Sequence, residues 1–131
     1  MSKGDLLIIQ EAERLQDFIF EITSKDAKPI SSDKSGEKPL TGIPKKYRFS
    51  ISARLQNYSL DLFEQIDRAR FDSADRRTHL NSVLSTLRMI ESVFWLCFRH
   101  QFISNGLAER GSGLVGAVRA MAITWRDKSK P

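Results

Sequence analysis

The chain has 131 residues, of which 40% are hydrophobic and 28% are charged, proportions that exclude a largely disordered protein. Its formal net charge is +5, and this charge is unevenly distributed. Residues 1–24 contain two basic and five acidic residues, for a net charge of −3, whereas the rest of the chain contains nineteen basic and eleven acidic residues, for a net charge of +8. The length predicts a single domain over residues 1–131. The charge is compatible with nucleic acid on one surface and a basic neighbour on another, or simply with a basic soluble protein.

The sequence lacks the apolar segments that membrane insertion or export would need. The longest apolar run is Val93–Phe98, far shorter than the roughly 20 residues of a membrane-spanning helix. No basic N-terminal region leads into an apolar core, as it would in a secretion signal. The single cysteine, Cys97, excludes an intrachain disulfide. These features predict a cytoplasmic protein with no membrane partner.

The N-terminal part predicts one helix followed by a long loop. From about Gly4 to Ser24, apolar residues repeat at intervals of three and four, which is one helical face. Residues 25–42 contain glycines and prolines and no hydrophobic period, so they predict a flexible loop. This loop is longer than most connections in helical bundles. It is either a tolerated insertion or a segment that orders on a partner.

The second predicted helix, residues 43–70, has no proline or glycine after Pro44, which suits a first helical position. Its apolar residues cover about half the circumference or more, whereas a surface helix needs a stripe of only about 100°. The excess predicts burial on two sides, by the bundle and by a neighbouring subunit. The residues predicted at that subunit interface are Phe49, Ala53, Leu60 and Phe63, with Ala117 and Ala120 of the last helix.

Two further helices follow. The third is predicted over residues 74–103, with Ser73 as its N-cap and the Asn-Gly pair at 105–106 as its stop signal. Residues 107–113 are glycine-rich and predict a turn or a short helical piece. The fourth helix is predicted over residues 112–126, before a frayed basic tail at 127–131. With no alternating strand pattern, the sequence predicts an all-α antiparallel four-helix bundle that assembles into a ring or barrel homo-oligomer.

Residues suited to catalysis are scattered. Nothing places His79 or His100 beside Cys97 as a nucleophile pair would require, and two isolated histidines do not make a metal site. Glu91, on the apolar face of the third helix, predicts an ion pair with an arginine rather than an acid of raised pKa. The sequence therefore predicts a non-enzymatic protein with no metal or cofactor. Hydrolysis or transfer by Cys97 or His100 is the distant alternative, and it requires an exposed pocket.

The basic residues favour nucleic-acid binding. Arg77, Arg88 and Arg99 are eleven residues apart, which is almost three helical turns, so they align along one edge about 16 Å apart. This arginine ladder (Arg77, Arg88 and Arg99) has no acid on its edge and can follow phosphates without reading bases; a solvated helix face is the alternative. Phe and Trp fall mainly on apolar faces and predict core rather than base stacking. The predicted binding residues are Lys45, Lys46, Arg48, Arg54, Arg77, Arg88, Arg99, Arg119 and Arg126.

Three stretches carry a family resemblance: IPKKYRFSISARLQNYSLDLFEQIDRAR at 43–70, LNSVLSTLRMIESVFWL at 80–96 and VRAMAITWR at 118–126. Together they resemble the accessory variability determinant (Avd) proteins of diversity-generating retroelements, and the wider group of four-helix-bundle proteins encoded in ribosomal intervening sequences. The resemblance implies a cytoplasmic four-helix bundle that forms a pentameric barrel with a basic surface. It also implies binding to a reverse transcriptase and to template RNA or its cDNA, in support of mutagenic copying of the template into a target gene.

The resemblance extends to individual residues. Lys46, Arg48 and Arg54 match its basic positions after the proline, and Arg88 matches the arginine of its third helix. The sequence departs from the pattern in its long first loop, in a serine that replaces a second arginine one turn after Arg88, and in a last-helix arginine-to-tryptophan spacing one residue longer. A competing hypothesis from another class is an adaptor that recruits a protein partner without nucleic acid, through the small-residue face of the fourth helix or the long loop.

Overall fold

The computed structural model describes residues 3–24 and 40–129. These ranges are helical and contain no strand, which confirms the predicted all-α class. The helices are α1 (Lys3–Ser24), α2 (Ala53–Phe71), α3 (Arg76–Arg99) and α4 (Asn105–Lys128). A short 3-10 turn (Lys45–Tyr47) and a π-helical turn (Arg48–Ser52) lead into α2. Most of the predicted loop at 25–42 and the last two residues of the predicted tail lie outside the described ranges.

Each helix packs against two others, so the four close into a bundle: α1 contacts α2 and α4, and α3 contacts α2 and α4. Polar contacts between helices give their directions. Gln56, near the start of α2, donates to the Thr23 hydroxyl near the end of α1 at 2.9 Å. Arg77, at the start of α3, donates to the backbone carbonyl of Arg126 near the end of α4 at 3.1 Å. Sequential helices therefore run antiparallel, as predicted. No helix in the described ranges is long and apolar enough to cross a membrane.

The core forms where the apolar stripes of the four helices meet. The rings of Phe18 in α1 and Phe94 in α3 are fully buried and pack edge to face, with centroids 5.3 Å apart. Gly111 of α4 lies against both rings: a Cβ built on it would stand 2.8 Å from a carbon of each. This close approach holds α4 against α1 and α3 at that level, and it requires a residue without a side chain.

The junction between α3 and α4 differs from the prediction. α3 ends at Arg99 rather than at residue 103, because Gln101 adopts a left-handed conformation with φ of 62°. The amide of Phe102 then donates to the carbonyl of Cys97 at 2.9 Å, and that of Gln101 to the carbonyl of Phe98 at 3.0 Å, the hydrogen bonds of a Schellman cap.

The Asn-Gly pair at 105–106 begins α4 instead of stopping α3, so that prediction was wrong. The side chain of Ser104 caps the new helix by accepting from the amide of Leu107 at 3.1 Å. Residues 107–113, predicted as a turn or a short helical piece, form the first part of α4, and the helix continues through Lys128, so the start of the predicted frayed tail is helical. The glycines that predicted a break are tolerated because one of them, Gly111, packs against the core rings.

The junction between α2 and α3 also differs from the prediction. Ser73 does not cap α3; instead the carboxylate of Asp72 accepts from the amide of Asp75 at 3.3 Å, and the helix begins at Arg76. The guanidinium of Arg76 reaches back and donates to the carbonyl of Ala69 at 2.7 Å, which satisfies a carbonyl in the last turn of α2.

Candidate nucleic-acid interface

The outward surface of α3 differs in charge from the other three helices. Among the residues that the structure describes, α3 exposes arginines, small polar residues and aromatic rings, and it exposes no carboxylate. Its one acid, Glu91, is turned toward α4. Exposed carboxylates on the other helices are Glu13 and Asp17 of α1, Asp61, Glu64 and Asp67 of α2, and Glu109 and Asp127 of α4. The face of α3 is therefore the helix surface best suited to a polyanion.

The arginine ladder is present, but its three members differ. Arg88 and Arg99 are exposed, and neither forms an ion pair or hydrogen bond with another described residue. Arg77 is half-buried, and its guanidinium donates to the carbonyl of Arg126. The structure therefore leaves Arg88 and Arg99 available to phosphates, whereas Arg77 also caps the C-terminal part of α4.

Two aromatic side chains of α3 reach the surface, whereas the sequence predicted that Phe and Trp lie mainly in the core, as Phe94 does. Trp95 and Phe98 are each 37% exposed. Their rings pack edge to face, with centroids 5.8 Å apart and planes at 86°. Trp95 follows Arg88 by seven residues, which places it about 20° from that arginine around the helix axis. The same angular placement that found the arginine ladder contained this signal, but the apolar run Val93–Phe98 obscured it.

Arg119, a predicted binding residue, is occupied within the bundle. Its guanidinium donates to Oε1 of Glu91 at 2.9 Å, while the Ser112 hydroxyl donates to Oε2 at 2.6 Å. The hydrogen bond from Ser112, together with the one from Arg119, lowers the pKa of Glu91 against the opposing effect of burial. The predicted ion pair between Glu91 and an arginine is confirmed. Arg119, assigned to the nucleic-acid surface from the sequence, links α3 to α4 through this ion pair.

Arg126 is also engaged. It donates to the amide oxygen of Asn81 at 3.2 Å and to the carboxylate of Asp127 at 3.3 Å. Together with the bond that its carbonyl accepts from Arg77, these contacts close the seam between the start of α3 and the end of α4. The basic residues at this end of the bundle therefore serve the packing of the helices first.

The basic residues before α2 lie at the other end of the bundle, beside the end of α3. The Tyr47 ring packs against Phe102 with centroids 5.0 Å apart, and Phe102 stacks on His100 at 5.8 Å. The amide of Leu40 donates to the carbonyl of Gln101 at 2.8 Å, which ties the same two segments together. The predicted residues Lys45, Lys46 and Arg48 are exposed here, and Arg54 is exposed on the first turn of α2.

These contacts place the predicted basic residues before α2 next to the end of the helix that carries the arginine ladder. Lys46 and Arg48 lie on a segment that touches the cap of α3, next in the chain to Arg99. Their charges rest against aromatic rings: Lys46 Nζ lies 5.2 Å from the centroid of the Tyr47 ring and the Arg48 guanidinium 5.0 Å from that of Phe49. We use the term basic face for two groups of exposed cations taken together: Lys46 and Arg48 beside the cap of α3, and Arg88 and Arg99 on α3 itself.

The residues predicted at a subunit interface differ in exposure. Phe49 is 87% exposed and Leu60 is 56% exposed, values that are high for large apolar side chains. Ala53, Phe63 and Ala117 are half-buried, and Ala120 is exposed. The π-helical turn holds Phe49 outside the core. The three exposed side chains are free to contact a second subunit or another protein, whereas Phe63 packs partly against the core.

Cys97 and His79, which were considered for catalysis, are buried in the core and hydrogen-bonded to a carboxylate, respectively. Cys97 is fully buried, and burial raises its pKa to about 12, so it carries almost no thiolate at neutral pH. Nε2 of His79 lies 2.9 Å from a carboxylate oxygen of Asp72, and this hydrogen bond lowers the pKa of Asp72. Within residues 3–24 and 40–129, no three His, Cys, Asp or Glu side chains converge as metal ligands would.

The best-supported candidate site is thus a surface rather than a pocket, made of the basic face and the aromatic pair beside it. Comparison of the chain with protein-family models, with curated proteins and with solved structures finds no match.

Proposed function

We propose that this protein is a non-enzymatic accessory protein that forms a homo-oligomer and binds nucleic acid through its basic face. In this proposal it acts in the cytoplasm with a reverse transcriptase and the template RNA or cDNA of a diversity-generating retroelement, as the family resemblance implies. The observation that carries the proposal is the outer surface of α3, where Arg88 and Arg99 stand without ion-pair partners and no described carboxylate of that helix is exposed.

The geometry supports binding to a phosphate backbone. An arginine that already pairs with a carboxylate must break that pair to bind phosphate, whereas Arg88 and Arg99 have no such pair among the described residues. Lys46 and Arg48 extend the positive surface around the end of α3. If all four charges contact phosphates of a single strand, a plot of log affinity against log salt concentration should have a slope of about −3. The affinity should then fall about 50-fold between 50 and 200 mM salt.

The exposed apolar side chains support the oligomeric part of the proposal. Phe49 in the π-helical turn and Leu60 on α2 are too exposed to contribute to the bundle core, and covering them with a second subunit would remove apolar surface from water. A ring of subunits would also repeat the basic face, which multiplies the contacts to one RNA. The number of five subunits and the reverse transcriptase partner rest on the resemblance alone.

The test is the mass of the protein in solution by light scattering, alone and with a structured RNA, at 50 and 200 mM salt. We expect a discrete oligomer that takes up RNA and releases it as salt rises. Arg88→Glu with Arg99→Glu should abolish RNA uptake and leave helicity and mass unchanged. Arg68→Glu with Lys128→Glu is the matched control: it changes the net charge equally, at exposed positions outside the basic face, and should retain most of the affinity. Unchanged uptake by the first double variant would refute the proposal.

A second candidate function is that of an adaptor for a protein partner, favoured by the 87% exposure of Phe49 and the exposed small residue Ala120. An adaptor would show no salt-dependent affinity for RNA. Bulky substitutions at Ala117 or Ala120 would disrupt its partner binding, whereas reversal of Arg88 and Arg99 would not. The same light-scattering series therefore separates the two functions.

A further inference from the structure

We infer that the outer face of α3 binds unpaired nucleotides, with a base stacked on Trp95 and the neighbouring phosphates on Arg88 and Arg99. This inference rests on the proposed nucleic-acid function and deepens it, because it names the ligand class as single-stranded RNA or DNA, or the unpaired part of a folded RNA. The observation behind it is that Trp95 and Phe98 are exposed beside two arginines without ion-pair partners.

The three side chains lie on one side of the helix. Trp95 is seven residues after Arg88 and four before Arg99, which corresponds to about 10 Å and 6 Å along the axis and to about 20° and 40° around it. An aromatic ring between two cations is the arrangement expected where one strand crosses a helix, since successive phosphates and bases alternate between charge and stacking contacts. Small polar side chains, Ser85 and Ser92, fill the same face and leave the rings accessible.

The indole is also held in place. Phe98 packs against it edge to face at 5.8 Å, an arrangement that aromatic pairs favour. A ring fixed by a neighbour loses little conformational freedom when a base stacks on it. The aromatic pair (Trp95 and Phe98) can therefore act as a platform for a base, whereas the arginines alone would bind any phosphate backbone.

Stacking selects for unpaired bases. In a duplex each base already stacks on its neighbours inside the helix, so a protein ring at the surface can reach it only after the strand is opened. Phosphate contacts make no such distinction.

The charge of this face favours a polyanion over a protein partner, since burial of two unpaired guanidinium groups against an apolar surface would be costly. A second copy of this chain is the competing occupant, because α1 exposes the acids Glu13 and Asp17.

The experiment compares three fluorescein-labelled ligands by anisotropy at fixed salt: oligouridine of 20 nucleotides, an abasic strand of the same length and a blunt RNA duplex. The variants are Trp95→Ala, Trp95→Phe, Arg88→Gln and Phe71→Ala. The last is the matched control, because Phe71 is also an exposed aromatic ring, 4.8 Å from the Arg70 guanidinium, but belongs to α2. Circular dichroism and light scattering of each variant check its helicity and mass.

We expect Trp95→Ala to weaken binding of oligouridine by about 5- to 140-fold, the range found for loss of one stacked base. Its affinity for the abasic strand and the duplex should not change, and neither should its salt slope. Trp95→Phe should restore most of the lost affinity, and Phe71→Ala should bind as the wild type does. Arg88→Gln should instead reduce the salt slope by about 0.7 on every single-stranded ligand.

Three outcomes would overturn this inference alone, and a fourth would refute the proposed function with it. Equal affinity of Trp95→Ala and wild type for oligouridine would show that no base stacks there, while the proposed function would stand. An equal loss on all three ligands would assign Trp95 to general support of the surface. A change in mass of Trp95→Ala without RNA would assign the aromatic pair to contact between copies of the chain. Failure of the wild type to bind any of the ligands at low salt would refute the proposed function as well.

Discussion

Replacement of Gly111 by alanine tests how tightly α4 packs against the core. The added methyl group would lie 2.8 Å from Cε1 of Phe18 and 2.8 Å from Cδ2 of Phe94, well inside ordinary contact distance. Both rings are fully buried and pack on each other, so neither can turn away without disturbing the other. Overpacking of this kind costs about 1–3 kcal/mol.

The substitution also has a favourable component that must be separated from the clash. Alanine is better than glycine inside a helix by about 1 kcal/mol. Gly113, two residues later in α4, provides the control, because a Cβ there meets nothing within 4 Å. Gly113→Ala should therefore stabilise the protein by about 1 kcal/mol. The propensity gain cancels between the two variants, and the difference in unfolding free energy between them should equal the overpacking cost of about 1–3 kcal/mol.

The assay is urea denaturation followed by circular dichroism at 222 nm, with all proteins at one concentration so that any assembly contributes equally. We expect the order of stability Gly113→Ala, then wild type, then Gly111→Ala. A Gly111→Ala variant as stable as Gly113→Ala would show that α4 does not approach the two rings as closely as described, and the reason given for a glycine inside this helix would be wrong.

Three further predictions concern single groups. Glu91→Gln should lower the unfolding free energy at pH 7 by about 1–3 kcal/mol. Because the pKa of Glu91 is lowered in the folded protein, the difference from wild type should be complete above the unfolded pKa of about 4.3 and should vanish as the pH falls through the folded pKa. An equal difference at pH 3 would contradict this, and the control is Glu64→Gln at an exposed ion pair, with an expected effect of about 0.5 kcal/mol or less. Cys97, buried with a pKa of about 12, should react with a thiol reagent at pH 8 only as fast as the protein opens, and rapid labelling of the native protein would contradict its burial. Gln101→Gly should stabilise the protein by up to about 1 kcal/mol, since residue 101 has φ of 62°, and a loss of stability in thermal unfolding would mean that the glutamine side chain has a role of its own.

Periodicity predicted the four helices and their order, because each has a long apolar stripe that must be buried. It did not predict the end of α3, since the left-handed residue of the cap is a glutamine rather than a glycine or asparagine. It also placed the start of α4 too late. Glycines lower helix propensity, and the close packing of Gly111 on two rings is a tertiary contact that a local pattern does not contain.

The candidate site was predicted only in part, again because a local sequence pattern does not contain tertiary contacts. The alignment of Arg88 and Arg99 follows from helix geometry alone, and both side chains are exposed on α3. The partners of Arg77 and Arg119 lie 49 and 28 residues away in the chain, so their engagement depends on how α3 and α4 face each other. The exposure of Trp95 likewise depends on which side of α3 the neighbouring helices leave uncovered. An apolar run in the sequence does not distinguish a fully buried ring from one at the edge of the core.

The π-helical turn at Arg48–Ser52 sets an angle as well as a local shape. Such a turn holds one residue more than a turn of α-helix, and each residue of an α-helix adds about 100° of rotation. Removal of one residue from positions 49–52 of this turn would let α2 continue in regular register and would rotate the preceding segment by about that angle. Lys46 and Arg48 would keep their sequence and charge but would face away from the end of α3. The number of residues in this turn, and not only their chemistry, therefore determines whether the two parts of the basic face form one surface.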